Sequence, residues 1–194
     1  MNSKIKYDYS YMKSELISDQ GFTQNELNEV SDQLIKFRER TFVDKGGRPG
    51  YMRLPEDMET LAIVEKLAVK YSSKFSTLLV LGIGGSDLGA RAVIAALNNP
   101  DSGMNVEFLG ANTDPDEIKS VLRKIDLKKT AINVISKSGD TIETMSTFIY
   151  IRDLLIKEVG YESHKEHIVA TTDKSKGTLK TISDKEGYDT LVVP

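Results

Sequence analysis

The sequence predicts an α/β protein, a flavodoxin-like five-stranded parallel sheet in the order 2-1-3-4-5 preceded by an N-terminal helical segment. Three observations carry that expectation. From Ser76 onward, short continuous apolar runs alternate with segments of helical period, the pattern of right-handed βαβ crossovers. The first of these runs ends in a glycine-rich turn and the third in a cluster of hydroxyl residues. The first third of the chain reads as helical instead.

The elements follow in order. Thr23 and Glu26 have the spacing of a capping box, in which each side chain satisfies an orphan amide at a helix start. Leu27, Val30, Leu34 and Phe37 then recur at helical spacing, so an amphipathic helix is expected to about Arg40. Lys45-Gly46-Gly47-Arg48-Pro49-Gly50 is a breaker cluster and reads as a loop. A second helix is expected from near Pro55 to about Tyr71, with Met58, Leu61, Ala62, Ala68 and Tyr71 as its buried stripe. Both helices read as packing elements. The domain boundary is expected at residues 72–74, giving a helical segment over residues 1–73 and a sheet domain over 74–194.

Leu78-Leu79-Val80-Leu81 is the first strand, a short apolar run that suits a buried parallel position. A helix is expected from Asp87 to about Leu97, and a second strand at Val106-Glu107-Phe108-Leu109. Asp114-Pro115 marks a helix start, with that helix running to about Ile125. Ala131-Ile132-Asn133-Val134-Ile135 is the third strand, followed by a long helix from Thr141 to about Val159. His167-Ile168-Val169-Ala170 is the fourth strand, residues 178–185 a shorter helix, and Leu191-Val192-Val193 the fifth strand.

Composition narrows the function. The 194 residues carry a net charge of −3, 28% charged side chains and no cysteine, which excludes disulfides, thiol catalysis and cysteine-ligated zinc. The two histidines, His164 and His167, lie in a polar segment that reads as a solvated loop, so no metal and no cofactor is expected. No apolar run approaches the roughly 20 residues of a membrane span, and the start has no signal-peptide core. No lysine/arginine stripe suggests nucleic acid. A soluble, cytoplasmic protein with neither membrane nor nucleic-acid partners is the expectation.

In a doubly wound sheet, ligands bind beyond the carboxyl ends of the strands where the strand order reverses, here between strands one and three. Both turns leaving that point are unusual. Four of the fourteen glycines fall between Gly82 and Gly89, where missing side chains let backbone approach a ligand closely. Ser86 can cap the following helix or bond a hydroxylated ligand. The second turn, Ser136-Lys137-Ser138-Gly139-Asp140-Thr141, gathers three hydroxyls at the start of the long helix. Free amides and the helix dipole there favour an anion, and hydroxyls suit phosphate oxygens. Lys137 can add a point charge or point to solvent. Glu143 can complement the dipole, or orient a ligand hydroxyl or a basic partner. Asp140 is repulsive toward a phosphate unless it points away. Arg91 reads as a surface helix residue close enough to bias the crevice positive. The dinucleotide fingerprint fails at Asp87, where a third glycine belongs, and no P-loop is present.

The stretch Gly82-Ile83-Gly84-Gly85-Ser86-Asp87-Leu88-Gly89-Ala90-Arg91, with Ile135-Ser136-Lys137-Ser138-Gly139-Asp140-Thr141-Ile142-Glu143-Thr144, resembles the glucose-6-phosphate isomerase family. The first stretch is similar to that family's Gly-Ile-Gly-Gly-Ser-x-Leu-Gly turn. The second shares Ser-x-Ser-Gly-x-Thr with the wider sugar isomerase (SIS) superfamily. The resemblance implies that residues 74–194 form an SIS domain, the first of two. It implies that Ser136, Lys137, Ser138, Gly139, Asp140 and Thr141 bind the substrate phosphate, with Gly85 and Ser86 on the sugar side and Glu143 in a supporting role. Asp140 stands where the family usually has threonine. The implied reaction interconverts glucose 6-phosphate and fructose 6-phosphate through a cis-enediol, with a glutamate base. That base, a ring-opening histidine and a C-terminal lysine belong to the family's second half, expected beyond Pro194, in cis or in trans. The chain alone is then expected to be inactive, and a homodimer is the expected assembly. Other readings are an SIS isomerase for another sugar phosphate and a stand-alone sugar-phosphate-binding or sensor module.

Overall fold

The computed structural model describes residues 8–43, 50–97 and 103–193. It divides into two compact units, Met1–Asp57 and Met58–Pro194.

Within the described residues, the first unit holds a short helix α1 (Ser14–Ile17), the helix α2 (Gln24–Arg38), and 3-10 and π-helical turns around them. The capping box forms as its spacing predicts. The Glu26 amide donates to Thr23 Oγ1 at 3.3 Å, and the Thr23 amide donates to the Glu26 carboxylate at 2.7 Å. The stripe behaves differently from expectation. Val30, Leu34 and Phe37 are about half exposed, so periodicity marked the helix but not what covers it. Residues 45–49 of the expected breaker loop lie outside the described residues.

The second unit begins with α3 (Met58–Ser72), followed by β1 (Thr77–Leu81), α4 (Leu88–Leu97), β2 (Asn105–Leu109), α5 (Pro115–Leu122), β3 (Thr130–Ser136), α6 (Ile142–Val159), α7 (Tyr161–His164), β4 (Ile168–Thr172), α8 (Thr178–Glu186) and β5 (Asp189–Val192). The five strands form one sheet in the order β2-β1-β3-β4-β5, all neighbours parallel. This is the topology the alternation predicted. Asp114 caps α5 through the Asp116 amide at 2.8 Å, with Pro115 in the first turn, where its missing N–H costs nothing.

Successive strand residues point to opposite faces of the sheet. Leu79, Leu81, Ile132, Val134, Ile168 and Ala170 join Phe148, Ile151 and Leu155 of α6 and Leu179 of α8 in the main core. The alternate residues Leu78, Ala131, Val169 and Leu191 meet Leu67, Tyr71 and Phe75 on the other face. Only the second half of α3 packs there. Tyr71 is buried and its hydroxyl donates to the Ile168 carbonyl at 3.1 Å, while Met58 and Leu61 of the expected stripe are exposed. The stripe fails because helical spacing fixes a face, whereas the length of helix that meets the sheet is set by the tertiary arrangement.

The histidines are also not in a solvated loop. Residues 161–167 are helical, and both imidazoles are buried. His164 bonds the Tyr161 carbonyl through Nδ1 and the Tyr188 hydroxyl through Nε2 at 2.9 Å. His167 Nδ1 lies 2.9 Å from the Thr130 carbonyl, and its ring packs on Phe75. Arg152 bridges the Tyr188 hydroxyl and Glu186, both at 2.8 Å, closing a polar cluster before the start of β5. Among the described residues, no group of three His, Cys, Asp or Glu side chains is placed to hold a metal, and no helix is long and apolar enough to cross a membrane.

Candidate functional site

Two of the strand ends at the switch point open into one cleft of about 500 Å³, lined by Ile83, Ser86, Ile135, Ser136, Lys137, Ser138, Thr141 and Asp173. Its floor comes from the turn after β1. Gly82 is held there by its amide, which donates to the Leu109 carbonyl at 3.0 Å. A Cβ on Gly82 would lie 2.8 Å from the Ser86 carbonyl oxygen, so the tight return of the chain needs glycine. Gly84–Ser86 form a 3-10 turn, with the Ser86 amide on the Ile83 carbonyl and the Asp87 amide on the Gly84 carbonyl, both at 3.1 Å. The turn brings Ser86 to the cleft. Gly85 is exposed beside it and is not among the lining residues.

Asp87 is buried and accepts from the Arg91 guanidinium at 3.2–3.3 Å. Arg91 also covers the Phe108 ring, 4.6 Å from its centroid. Its charge is therefore matched locally by Asp87.

The opposite wall is the turn between β3 and α6. Ser136 is buried at the strand end, Thr141 is half-buried at the helix start, and their hydroxyl oxygens are 3.0 Å apart. Ser138 Oγ lies 3.5 Å from Thr141 Oγ1. The Gly139 amide donates to Ser136 Oγ at 3.1 Å and the Asp140 amide to Ser138 Oγ at 3.2 Å, so the hydroxyls are fixed by the turn's own backbone. Thr141 is the N-cap of the 18-residue α6 but makes no capping bond with its side chain. That differs from α2 and α5, each capped by a side-chain oxygen at its N-cap. The hydroxyl turns instead toward Ser136 and the cleft. Lys137 lines the cleft from an exposed position. Glu143 is half-buried in the first turn of α6 and does not line the cleft.

Asp140 points away from the cleft. Its Oδ1 accepts the Thr178 amide at 3.0 Å and so caps α8, whose own N-cap is Gly177. The sequence reading missed Asp173, which follows β4 and completes the cleft. Its carboxylate accepts the Ser175 amide at 2.8 Å and the Lys176 amide at 3.0 Å, an Asx-type turn leading into Gly177. The Asp-x-Ser spacing carried the signal for that turn. Its position at the cleft depended on the register that pairs Ser136 with Thr172.

Hydrogen bonding from Thr178, side chain and then amide, holds the Asp140 carboxyl below its ordinary range. The Ser175 amide, with lesser help from Lys176, does the same for Asp173. A depressed carboxyl contributes stability that is fully present above its unfolded value of about 3.9 and is lost as pH falls through the lower folded value. The turns are therefore expected to hold at about pH 5 and to loosen below about pH 4. An NMR pH titration of the Thr178 and Lys176 amide signals checks this, and a midpoint near pH 6 would contradict it.

The fold and the cleft define an open parallel α/β domain with a hydroxyl-lined pocket at the carboxyl ends of its strands, where the strand order reverses. The sequence profile of the phosphoglucose isomerase family matches residues 66–188, and the chain belongs to that family. It is similar to the glucose-6-phosphate isomerase of Shouchella clausii, 43% identical over 75% of this chain and 35% of that protein. It is 36% identical to the glucose-6-phosphate isomerase of Bacillus cytotoxicus over the whole chain and 45% of that protein. Among solved structures, a hypothetical protein of Thermus thermophilus superposes with a TM-score of 0.71 at 33% identity, covering 88% of this chain and 40% of that one. A glucose-6-phosphate isomerase of Chlamydia trachomatis gives 0.59 at 34% identity, covering 71% and 25%. The chain spans less than half the length of these curated relatives.

Proposed function

We propose that this chain supplies the phosphate-binding part of a glucose-6-phosphate isomerase, which interconverts glucose 6-phosphate and fructose 6-phosphate through a cis-enediol. The observation that carries the reading is the arrangement at the start of α6. Three hydroxyls, Ser136, Ser138 and Thr141, lie together in one cleft with Lys137, at a long helix whose N-cap side chain caps nothing. Such a helix end favours an anion through its unpaired amides and its dipole. Hydroxyl donors match the several acceptor oxygens of a phosphate, and phosphate binding remote from the reacting carbons orients the sugar for proton transfer. Ser86, which lines the same cleft from the turn after β1, is assigned to the sugar side, with the exposed Gly85 beside it.

The catalytic base is assigned outside this chain. The Asp173 carboxylate, which lines the cleft, is held by two backbone amides, and Glu143 does not line it. A base must reach a carbon-bound proton next to the sugar carbonyl, within hydrogen-bond distance. Turnover then requires the remaining half of the enzyme, in cis or in trans, and the working assembly is a homodimer.

Titration with glucose 6-phosphate and 6-phosphogluconate, followed by calorimetry, tests the cradle. Replacing Ser138 and Thr141 together by alanine is expected to weaken binding by about a hundredfold or more, because each hydrogen bond to a charged group contributes roughly 1.5–3 kcal/mol and two are lost. Unchanged affinity in the folded double variant would reduce these hydroxyls to turn-stabilising groups. Isomerase activity in the purified chain without a partner would overturn the placement of the base.

A further inference from the structure

We propose that Asp140 is a positioning residue: its carboxylate, docked on the first amide of α8, clamps the turn between β3 and α6 in its anion-ready shape before a ligand arrives. The proposal rests on the phosphate-binding reading above and assigns that site a support outside it.

Asp140 is tied on two sides. Its amide donates to Ser138 Oγ at 3.2 Å, within the cradle, and its carboxylate accepts the Thr178 amide at 3.0 Å, on α8. Beside it the Leu179 amide donates to the Gly139 carbonyl at 3.0 Å. The two backbones touch at Gly177, where a Cβ would lie 2.1 Å from the Ser138 carbonyl oxygen. Ser138 is thus held between the cradle and the start of α8. Because the N-cap of α8 is glycine, its first-turn amide depends on a side chain from another loop, and Asp140 supplies it. A ligand that needs the turn in this shape then pays little to order it.

A carboxylate next to an anion site also repels the anion, so two effects of opposite sign compete. Asp140 is exposed, and water and salt screen its charge. The tie is a contact at 3.0 Å backed by the Leu179–Gly139 backbone bond, and screening weakens so short an interaction less than the longer-range repulsion. Positioning should therefore win, and the sign of one substitution decides it.

The test measures binding of inorganic phosphate and of glucose 6-phosphate to wild type, Asp140→Ala and Asp140→Asn, with amide hydrogen exchange at Thr178 and Leu179. Asn keeps an acceptor for the Thr178 amide and removes the charge; Ala removes both. Asp140→Ala is expected to speed exchange at Thr178 and weaken binding about fivefold, the effect of roughly one lost hydrogen bond. Asp140→Asn should bind within about twofold of wild type or more tightly, because the acceptor is kept. Binding by Asp140→Ala as tight as wild type overturns the proposal, leaving the carboxylate as a cap for α8 and a local charge. Asp140→Asn as weak as Asp140→Ala overturns it as well, since the acceptor alone would then not suffice. Absence of phosphate binding in wild type overturns the cradle reading and this proposal with it, whereas wild-type binding that ignores Asp140 overturns this proposal alone.

Discussion

Gly177→Ala is expected to remove measurable phosphate binding and to lower the unfolding free energy by about 2–4 kcal/mol. Two causes combine. Gly177 has φ +92° and ψ 158°, a region essentially reserved for glycine. An alanine Cβ there would also sit 2.1 Å from the Ser138 carbonyl oxygen and 3.0 Å from the Gly139 Cα. Both are backbone atoms, so no side chain can swing aside, and the cradle turn must separate from α8. Gly160 is a matched control. It has φ +86° and ψ 158° at the N-cap of α7, yet a Cβ there meets nothing within 4 Å. Gly160→Ala should therefore show the backbone strain alone, about 1–3 kcal/mol, with phosphate binding intact. Urea unfolding and phosphate titration of both variants separate the clash from the strain. Equal binding losses in the two would show that the close approach at Ser138 is unimportant.

Phe148→Ala is expected to cost about 3–5 kcal/mol, a large part of the roughly 5–15 kcal/mol typical of a domain's stability. Phe148 is fully buried in α6, inside the core formed with β1, β3 and β4, and its ring meets Tyr188 edge-on at 6.4 Å between centroids. Truncation removes a large apolar surface and leaves a cavity that packed neighbours refill only partly. Because the same helix carries Thr141 at its start, ligand binding should fail with unfolding and not before it. Thermal unfolding with and without glucose 6-phosphate reads this directly. Ile149→Ala, at a position 56% exposed one residue along, should change stability by only about 0.5 kcal/mol. A comparable loss at both positions would contradict the assignment of α6's buried face.

These expectations differ in how far the sequence alone supports them. The two cleft-forming turns were legible because their chemistry is local: glycines that permit a tight return after β1, and hydroxyls packed into six residues after β3. The sheet order was legible because five apolar runs separated by helical segments leave few ways to form a parallel sheet. The partner of Asp140 was not legible, because Thr178 is 38 residues away and reaches it only through the pairing of β3 with β4. Asp87 and Arg91 are four residues apart on one helical turn, and that spacing permits their ion pair. Only the packing shows that Asp87 is buried and that Arg91 lies over Phe108.

Local preferences are thus written in the chain itself: the strands, the helices, the capping box at Thr23 and the two turns that meet at the switch point. They follow from backbone dihedrals, side-chain period and hydrogen bonds between near neighbours. The direction taken by side chains with several available partners emerged only on folding. Asp140 turned to α8 instead of the cleft, His164 and His167 entered the core, and only the second half of α3 met the sheet. A polar group's partner and a helix's buried length depend on elements that are distant in sequence and adjacent only once the sheet has formed.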